Sequence, residues 1–173
     1  MTRRDGAFLP LAVAVAAVIL PGCGGYTLDS QYRQGIKTVA VDIFGRGKDV
    51  YRRELETRST EAIVKRIEHD TPYKVTVKSR ADTRLTGTID TVEQRILSFN
   101  PDTGLPREME LTLTVSFTWT DLRSGKALAE VSDMRVSGAY VREAPLTEDF
   151  FQGSEGVLDR LARRVVEKME AEW

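Results

Sequence analysis

The 173-residue sequence predicts an α+β domain. The predicted form is a two-layer sandwich: one mostly antiparallel sheet of four to five strands, with two helices packed on one face, in the order β-α-β-β-β-β-α. Three observations predict it. From Met109 to Trp119 every second residue is apolar, and the residues between and after them, Glu110 to Thr120, are polar, the pattern of a half-buried strand. Two segments, near Val50–His69 and Thr147–Trp173, repeat apolar residues at helical spacing. The remaining apolar runs are short, β-branched and separated by turn formers.

The elements follow in order. Arg3 and Arg4 precede an apolar run from Ala7 to Leu20, which ends in Leu20-Pro21-Gly22-Cys23. A basic, then apolar, then small-residue layout is that of a secretory signal peptide over residues 1–22. The run of about 14 residues is shorter than the roughly 20 a spanning helix needs, and Pro10 lies inside it. The Leu-x-Gly-Cys arrangement resembles the bacterial lipobox, in which the cysteine thiol takes a diacylglycerol and becomes the new N-terminus. The alternative is a plain signal peptide with an incidental cysteine. Cys23 is the one cysteine of the chain, so it cannot form an internal disulfide or a cysteine-rich metal site. Acylation would remove an oxidisable thiol and supply an anchor. Gly24, not aspartate, follows it. In many Gram-negative lipoproteins aspartate there marks inner-membrane retention, so glycine points to the outer membrane.

Cleavage before Cys23 leaves 173 − 22 = 151 residues, a one-domain length able to bury a sizeable core without disulfides. Residues 23–35 read as lipidated N-terminus and tether, and 36–173 as a single α+β domain. Lys and Arg number 25 against 26 Asp and Glu, a net charge of −1. That balance argues against general nucleic-acid binding, which wants a strongly basic face.

Ile36–Ile43 reads as the first strand, with Val39, Val41 and Ile43 on one face. Phe44–Lys48 is expected to be a loop; it lacks the Gly-Lys-Ser/Thr ending of a phosphate-binding loop. Asp49 is positioned to cap a helix from Val50 to His69, with Tyr51, Leu55, Ala62, Ile63 and Ile67 as its apolar stripe. His69, the one histidine, has no second histidine or cysteine to complete a metal site. Thr71-Pro72 stops the helix.

Tyr73–Lys78 is a second strand and Ser79–Asp82 a turn. In the third strand, Arg84–Leu97, the apolar phase shifts from Leu85, Gly87, Ile89 to Val92, Gln94, Ile96. A slip of one residue predicts a β-bulge near Asp90–Glu93. Asn100–Pro106 is dense in turn formers and predicts a hairpin tip. The alternating fourth strand follows, then a turn at Arg123–Lys126 and a less regular fifth strand from Ala127 to about Tyr140. Thr147 is the expected cap of the last helix, whose stripe is Leu158, Leu161, Ala162, Val165 and Met169.

Catalytic chemistry is sparse. No Ser-His pairing, free thiol or metal-ligand spacing stands out, and no cofactor motif is present. The carboxylate pairs Glu108/Glu110 and Asp82/Asp90 read as ordinary surface. The expected protein is not an enzyme.

The lipobox cysteine is followed by Gly25-Tyr26, an Ile-Lys-Thr-Val-Ala-Val strand, a glycine-bearing loop and a helix. An Ala81-Asp82 turn then leads into Leu85-Thr86-Gly87-Thr88-Ile89, a strongly alternating strand and a terminal helix. This order resembles the lipopolysaccharide-assembly lipoprotein family, LptE, over essentially the whole mature chain. The resemblance implies a lipid-anchored protein on the periplasmic face of the outer membrane. It implies one partner, a large LptD-like β-barrel translocon that the protein plugs and helps assemble, and lipopolysaccharide as a candidate ligand. Arg84, Arg95 and Arg107 are the candidate contacts to its phosphates, against the alternative of a solvated sheet edge. The Thr-rich face of the fourth strand is a candidate lumen-facing surface, or simply the solvent side of a sheet. The competing readings are an accessory lipoprotein serving a cell-wall synthase or secretion system, and a small anchored enzyme.

Overall fold

The structure is a computed structural model that describes residues 32–48, 50–51, 54–141 and 149–170. Strands β1 (Thr38–Val41) and β2 (Gly45–Arg46) lead to helix α1 (Leu55–Asp70). Strand β3 (Lys74–Val75) and a 3₁₀ turn at Lys78–Arg80 follow. Three long strands, β4 (Thr83–Phe99), β5 (Pro106–Asp121) and β6 (Ala127–Val141), precede helix α2 (Asp149–Glu167). The sheet order is β3-β1-β4-β5-β6, with β2 also on β4. The expected α+β layering is what the chain adopts.

The strand count is six, not four to five, because short parallel strands are invisible to a periodicity argument. β1 pairs with β3 and β4, and β2 with β4, all in parallel; β4-β5 and β5-β6 are antiparallel. The expected Phe44–Lys48 loop contains β2, held where the Gly47 N–H donates to Ile89 O at 2.8 Å. A Cβ on Gly47 would sit 2.9 Å from that oxygen, so only glycine lets the chain lie this close. The first strand is shorter than expected. It leaves the pleat after Val41, so Val39 is buried while Ile43 is 70 % exposed and does not share its face.

Helix α1 begins at Leu55 rather than Val50. Glu54 precedes it in the left-handed region (φ 75°) with no side-chain cap. Tyr51 lies outside the helix, 88 % exposed. Asp49 and Thr147, the expected caps, fall outside the described residues. Leu55, Ile63 and Ile67 are buried as expected, and Ser59 and Thr60 are buried with them. The Thr60 hydroxyl accepts from Phe44 N–H at 3.0 Å and donates to Glu56 O at 2.7 Å. That bond pins the loop to the helix and satisfies a buried donor.

The register of β4 on β5 runs Ile89↔Val115, then Thr91↔Thr114. Asp90 is the extra residue, within the segment where the apolar phase slips. Its carboxylate accepts from the Ser116 hydroxyl at 2.6 Å. On β5, Leu111, Leu113, Val115, Phe117 and Trp119 are all buried against the helices. From α2, Leu158, Leu161, Ala162, Val165 and Met169 close the same core, joined by Phe150, Val157 and Val166. The two helices therefore cover one face of the sheet and leave the other open.

The N-terminal end of the described chain is docked on this domain. The Tyr32 hydroxyl donates to Asp70 O at 2.7 Å, and Tyr32 bridges to Glu170. Arg33 donates from its backbone to the Tyr73 hydroxyl and from its guanidinium to Leu128 O, each at 3.1 Å, and lies 5.9 Å from the Trp119 ring centroid. The chain thus enters at the end of the sheet opposite the β4-β5 hairpin tip. At about 3.3 Å per residue, the 17 residues of β4 place that tip roughly 50 Å away.

Candidate functional site

Polar chemistry concentrates at the two ends of the long sheet. At the proximal end, Asp82 ties β1 to the start of β4. Its carboxylate accepts from the Lys37 and Thr38 N–H groups at 3.1 Å each and from the Thr38 hydroxyl at 2.9 Å, and it pairs with Arg123. The backbone donation from Lys37, then the Thr38 hydroxyl, hold its pKa down to about 2. This is a structural knot: a parallel strand start has N–H groups with no ladder partner, and the carboxylate supplies one.

Two consequences follow from the knot. Asp82→Ala orphans the Lys37 and Thr38 donors and is expected to cost about 2–4 kcal/mol, because Asp82 is only 19 % exposed. Its pKa is lower in the folded chain than unfolded, so the charge contributes stability above pH 4 that is lost as pH falls through about 2. The expected amount is about 2 kcal/mol. Denaturant midpoints from pH 5 to pH 2 check both, since Asp82→Asn is expected to flatten that part of the profile.

The three arginines do not converge. Arg84 lies near the knot, where its Nε donates to Asp42 at 3.0 Å. That bond holds the Asp42 carboxyl below the usual range and raises the arginine further. Arg95 lies 11 residues further along β4, about 35 Å away. It is 73 % exposed and reaches Glu110 across the ladder at 2.8 Å. Arg107 is exposed near the hairpin tip. It falls at the register shift between the Ser98↔Glu108 and Phe99↔Pro106 pairs, where the regular alternation of β5 is interrupted. One headgroup cannot span all three; only Arg95 and Arg107 lie at the distal end of the hairpin.

The carboxylate pairs are likewise occupied by the fold. Glu110 meets Arg95, Asp82 forms the knot, and Asp90 holds Ser116 at the bulge. His69 is exposed, its Nδ1 2.7 Å from Asp70. Among the described residues no cluster of His, Cys, Asp and Glu is arranged to hold a metal ion.

The feature that side-chain chemistry alone misses is the distal wing. Ile96, Leu97, Phe99 and Leu105, all beyond Val92, are exposed among the described residues. The tip that carries Leu105 is ordered by its own polar groups. Asn100 Oδ1 accepts from Asp102 N–H at 2.9 Å and Thr103 N–H at 3.3 Å, and Gly104, at φ 67°, donates to Asn100 O at 2.8 Å. The sequence signal was present in Ile96-Leu97-Ser98-Phe99, where alternation lapses although the segment continues as strand. Between the ends, the open face of the sheet carries Thr86, Thr88, Ser116 and Thr118 around a shallow 300 Å³ depression.

Comparison with curated proteins returned no significant match. Among solved structures the chain is similar to the uncharacterized lipoprotein B of Nitrosomonas europaea, at TM-score 0.55 and 17 % identity, covering 85 % of this chain and 91 % of that one. It is also similar to protein XCC0632 of Xanthomonas campestris, at TM-score 0.55 and 10 % identity, with 78 % and 84 % covered. The hypothetical protein CT253 of Chlamydia trachomatis aligns at TM-score 0.51 and 9 % identity, with 78 % and 98 % covered. At such identities the likeness shows a shared fold. The family model for lipopolysaccharide assembly, LptE, matches residues 36–171, the whole of the α+β domain, and the chain therefore belongs to the LptE family.

Proposed function

We propose that this protein is an outer-membrane lipoprotein, anchored through Cys23 on the periplasmic face, that occupies and helps assemble a large β-barrel translocon for lipopolysaccharide. The family match over residues 36–171 carries the reading. The fold supports it physically. A plug in a hydrated lumen needs a compact domain with a polar outer surface, and the open face of the sheet offers a row of hydroxyls. Among the described residues no helix is long and apolar enough to cross a membrane; in this reading the anchor is the lipid on Cys23.

The distal wing is the part suited to lipopolysaccharide itself. Arg95 and Arg107 would meet phosphates, and Ile96, Leu97, Phe99 and Leu105 the acyl chains. Arg84 is already committed to Asp42, and Arg95 would have to exchange Glu110 for a phosphate. The decisive experiment is purification of the full chain from membranes solubilised in mild detergent. Recovery of a large β-barrel at a fixed ratio is the expected result, together with loss of surface lipopolysaccharide on depletion. Recovery without a barrel, with surface lipopolysaccharide normal, overturns the reading in favour of an accessory lipoprotein serving another envelope machine.

A further inference from the structure

The two halves of helix α2 differ in how well their residues hold a helix. From Leu158 to Glu167 there is no glycine or proline, and Leu158, Leu161, Ala162, Val165 and Val166 are buried. The first two turns contain Gly153, Ser154 and Gly156. Glycine is the poorest helix former after proline. The buried Ser154 hydroxyl donates back to Phe151 O at 2.8 Å, a local bond that competes with helical pairing. Packing explains one glycine and not the other. A Cβ on Gly153 would overlap the Tyr140 ring of β6, so glycine lets the helix lie on that strand. Gly156 is exposed, and a Cβ there would meet nothing within 4 Å. Its physical effect is to weaken the helix.

These weak turns cover part of one apolar row. Ile96, Met109 and Tyr140 are successive cross-strand partners on β4, β5 and β6, so their side chains share a face. Ile96 is 42 % exposed, whereas Met109 is buried and Tyr140 lies against Gly153. Gln94 Nε2 donates to the Tyr140 hydroxyl at 2.9 Å, which fixes the ring's polar end. Two contacts hold the turns down. Phe150 is buried, and the Arg58 guanidinium of α1 lies 4.4 Å from the Phe151 ring centroid.

Resting on the acyl-chain reading above, we infer that the first two turns of α2 are a lid that opens apart from the rest of the helix, joining Met109 and Tyr140 to Ile96 as one apolar strip for an acyl chain. Poor helix formers at one end of an otherwise well-packed helix place that end at the low end of local stability. The buried side chains from Leu158 onward keep the second half in place. The strip carries no charged side chain, so it suits hydrocarbon and not a headgroup. A ligand that binds only the open form has an affinity scaled by the population of that form.

Gly156→Ala and Arg58→Ala shift the opening in opposite directions, and neither residue belongs to the strip. The full chain carrying Cys23→Ala needs no detergent that would compete for it, and is titrated with laurate below its micelle-forming concentration. Gly156→Ala is expected to weaken laurate binding about fourfold to fivefold, because alanine favours the closed helix. Arg58→Ala is expected to strengthen it about twofold to fivefold, by removing the cation over Phe151. Amide hydrogen exchange at residues 153–157 is expected to run at least about tenfold faster than at 161–166. Gly156→Ala is expected to slow the first set about fourfold to fivefold and leave the second unchanged. Equal laurate affinity in all three chains, no laurate binding, or equal slowing of both halves of α2 overturns the inference. None of these readouts involves the barrel, so the lid can fail while recovery of the barrel upholds the proposed function. Absence of the barrel from the wild-type purification overturns the proposed function and leaves the opening of α2 to be decided by exchange.

Discussion

Gly87→Val is expected to destabilise the domain by about 3 kcal/mol or more, and most of that loss is expected to vanish when Phe44 is removed first. Gly87 sits in the middle of β4, where glycine weakens a strand unless something needs the space. Here the Phe44 ring needs it. A Cβ on Gly87 would stand 2.6 Å from Phe44 Cζ and 2.8 Å from Cδ1. The ring cannot retreat, because it is buried and its own N–H is held by the Thr60 hydroxyl at 3.0 Å. Phe44→Ala alone is expected to cost about 3–5 kcal/mol through the cavity it leaves. In the Phe44→Ala background, Gly87→Val is expected to cost under about 1 kcal/mol, since a branched side chain then enters empty space and suits a strand. Urea denaturation of the four proteins in the cycle measures the coupling. Strictly additive losses would show that the ring does not rest on the glycine.

Cys23→Ala is expected to release the protein from the membrane. Each buried methylene of an acyl chain contributes about 0.8 kcal/mol, and more than one chain is needed for stable anchoring. Removing the only thiol removes every attachment point for them. Fractionation is expected to move the protein from the pelleted membranes to the soluble fraction, with its thermal midpoint unchanged, because the docked contacts among the described residues, such as Tyr32 to Asp70, do not involve Cys23. Persistence in the membrane pellet after stripping of peripheral proteins would discard lipidation as the anchor. Intact mass of the wild-type chain provides the independent check, by the added acyl mass on residue 23.

Much of this architecture could be read from residue order alone. The alternation from Met109 to Trp119 set the face of the central strand, because a strand presents its side chains with a period of two whatever it packs against. The phase slip around Asp90 located the bulge for the same reason: one extra residue inverts the pattern downstream. Leu158, Leu161, Ala162, Val165 and Met169 identified the buried stripe of the last helix from spacing.

The order of residues also nominated Cys23 and brought the whole chain to its family, through short motifs in sequence. What it could not supply was anything set by contacts between residues far apart in the chain. The two-residue strand β2 exists only because Gly47 meets Ile89, and Asp82 matters only because Lys37 and Thr38 lack ladder partners. The separation of Arg84 from Arg95 and Arg107 and the exposed tip are likewise products of packing. Periodicity reports which side of an element is apolar; it is silent on which neighbour arrives, and on where no neighbour does.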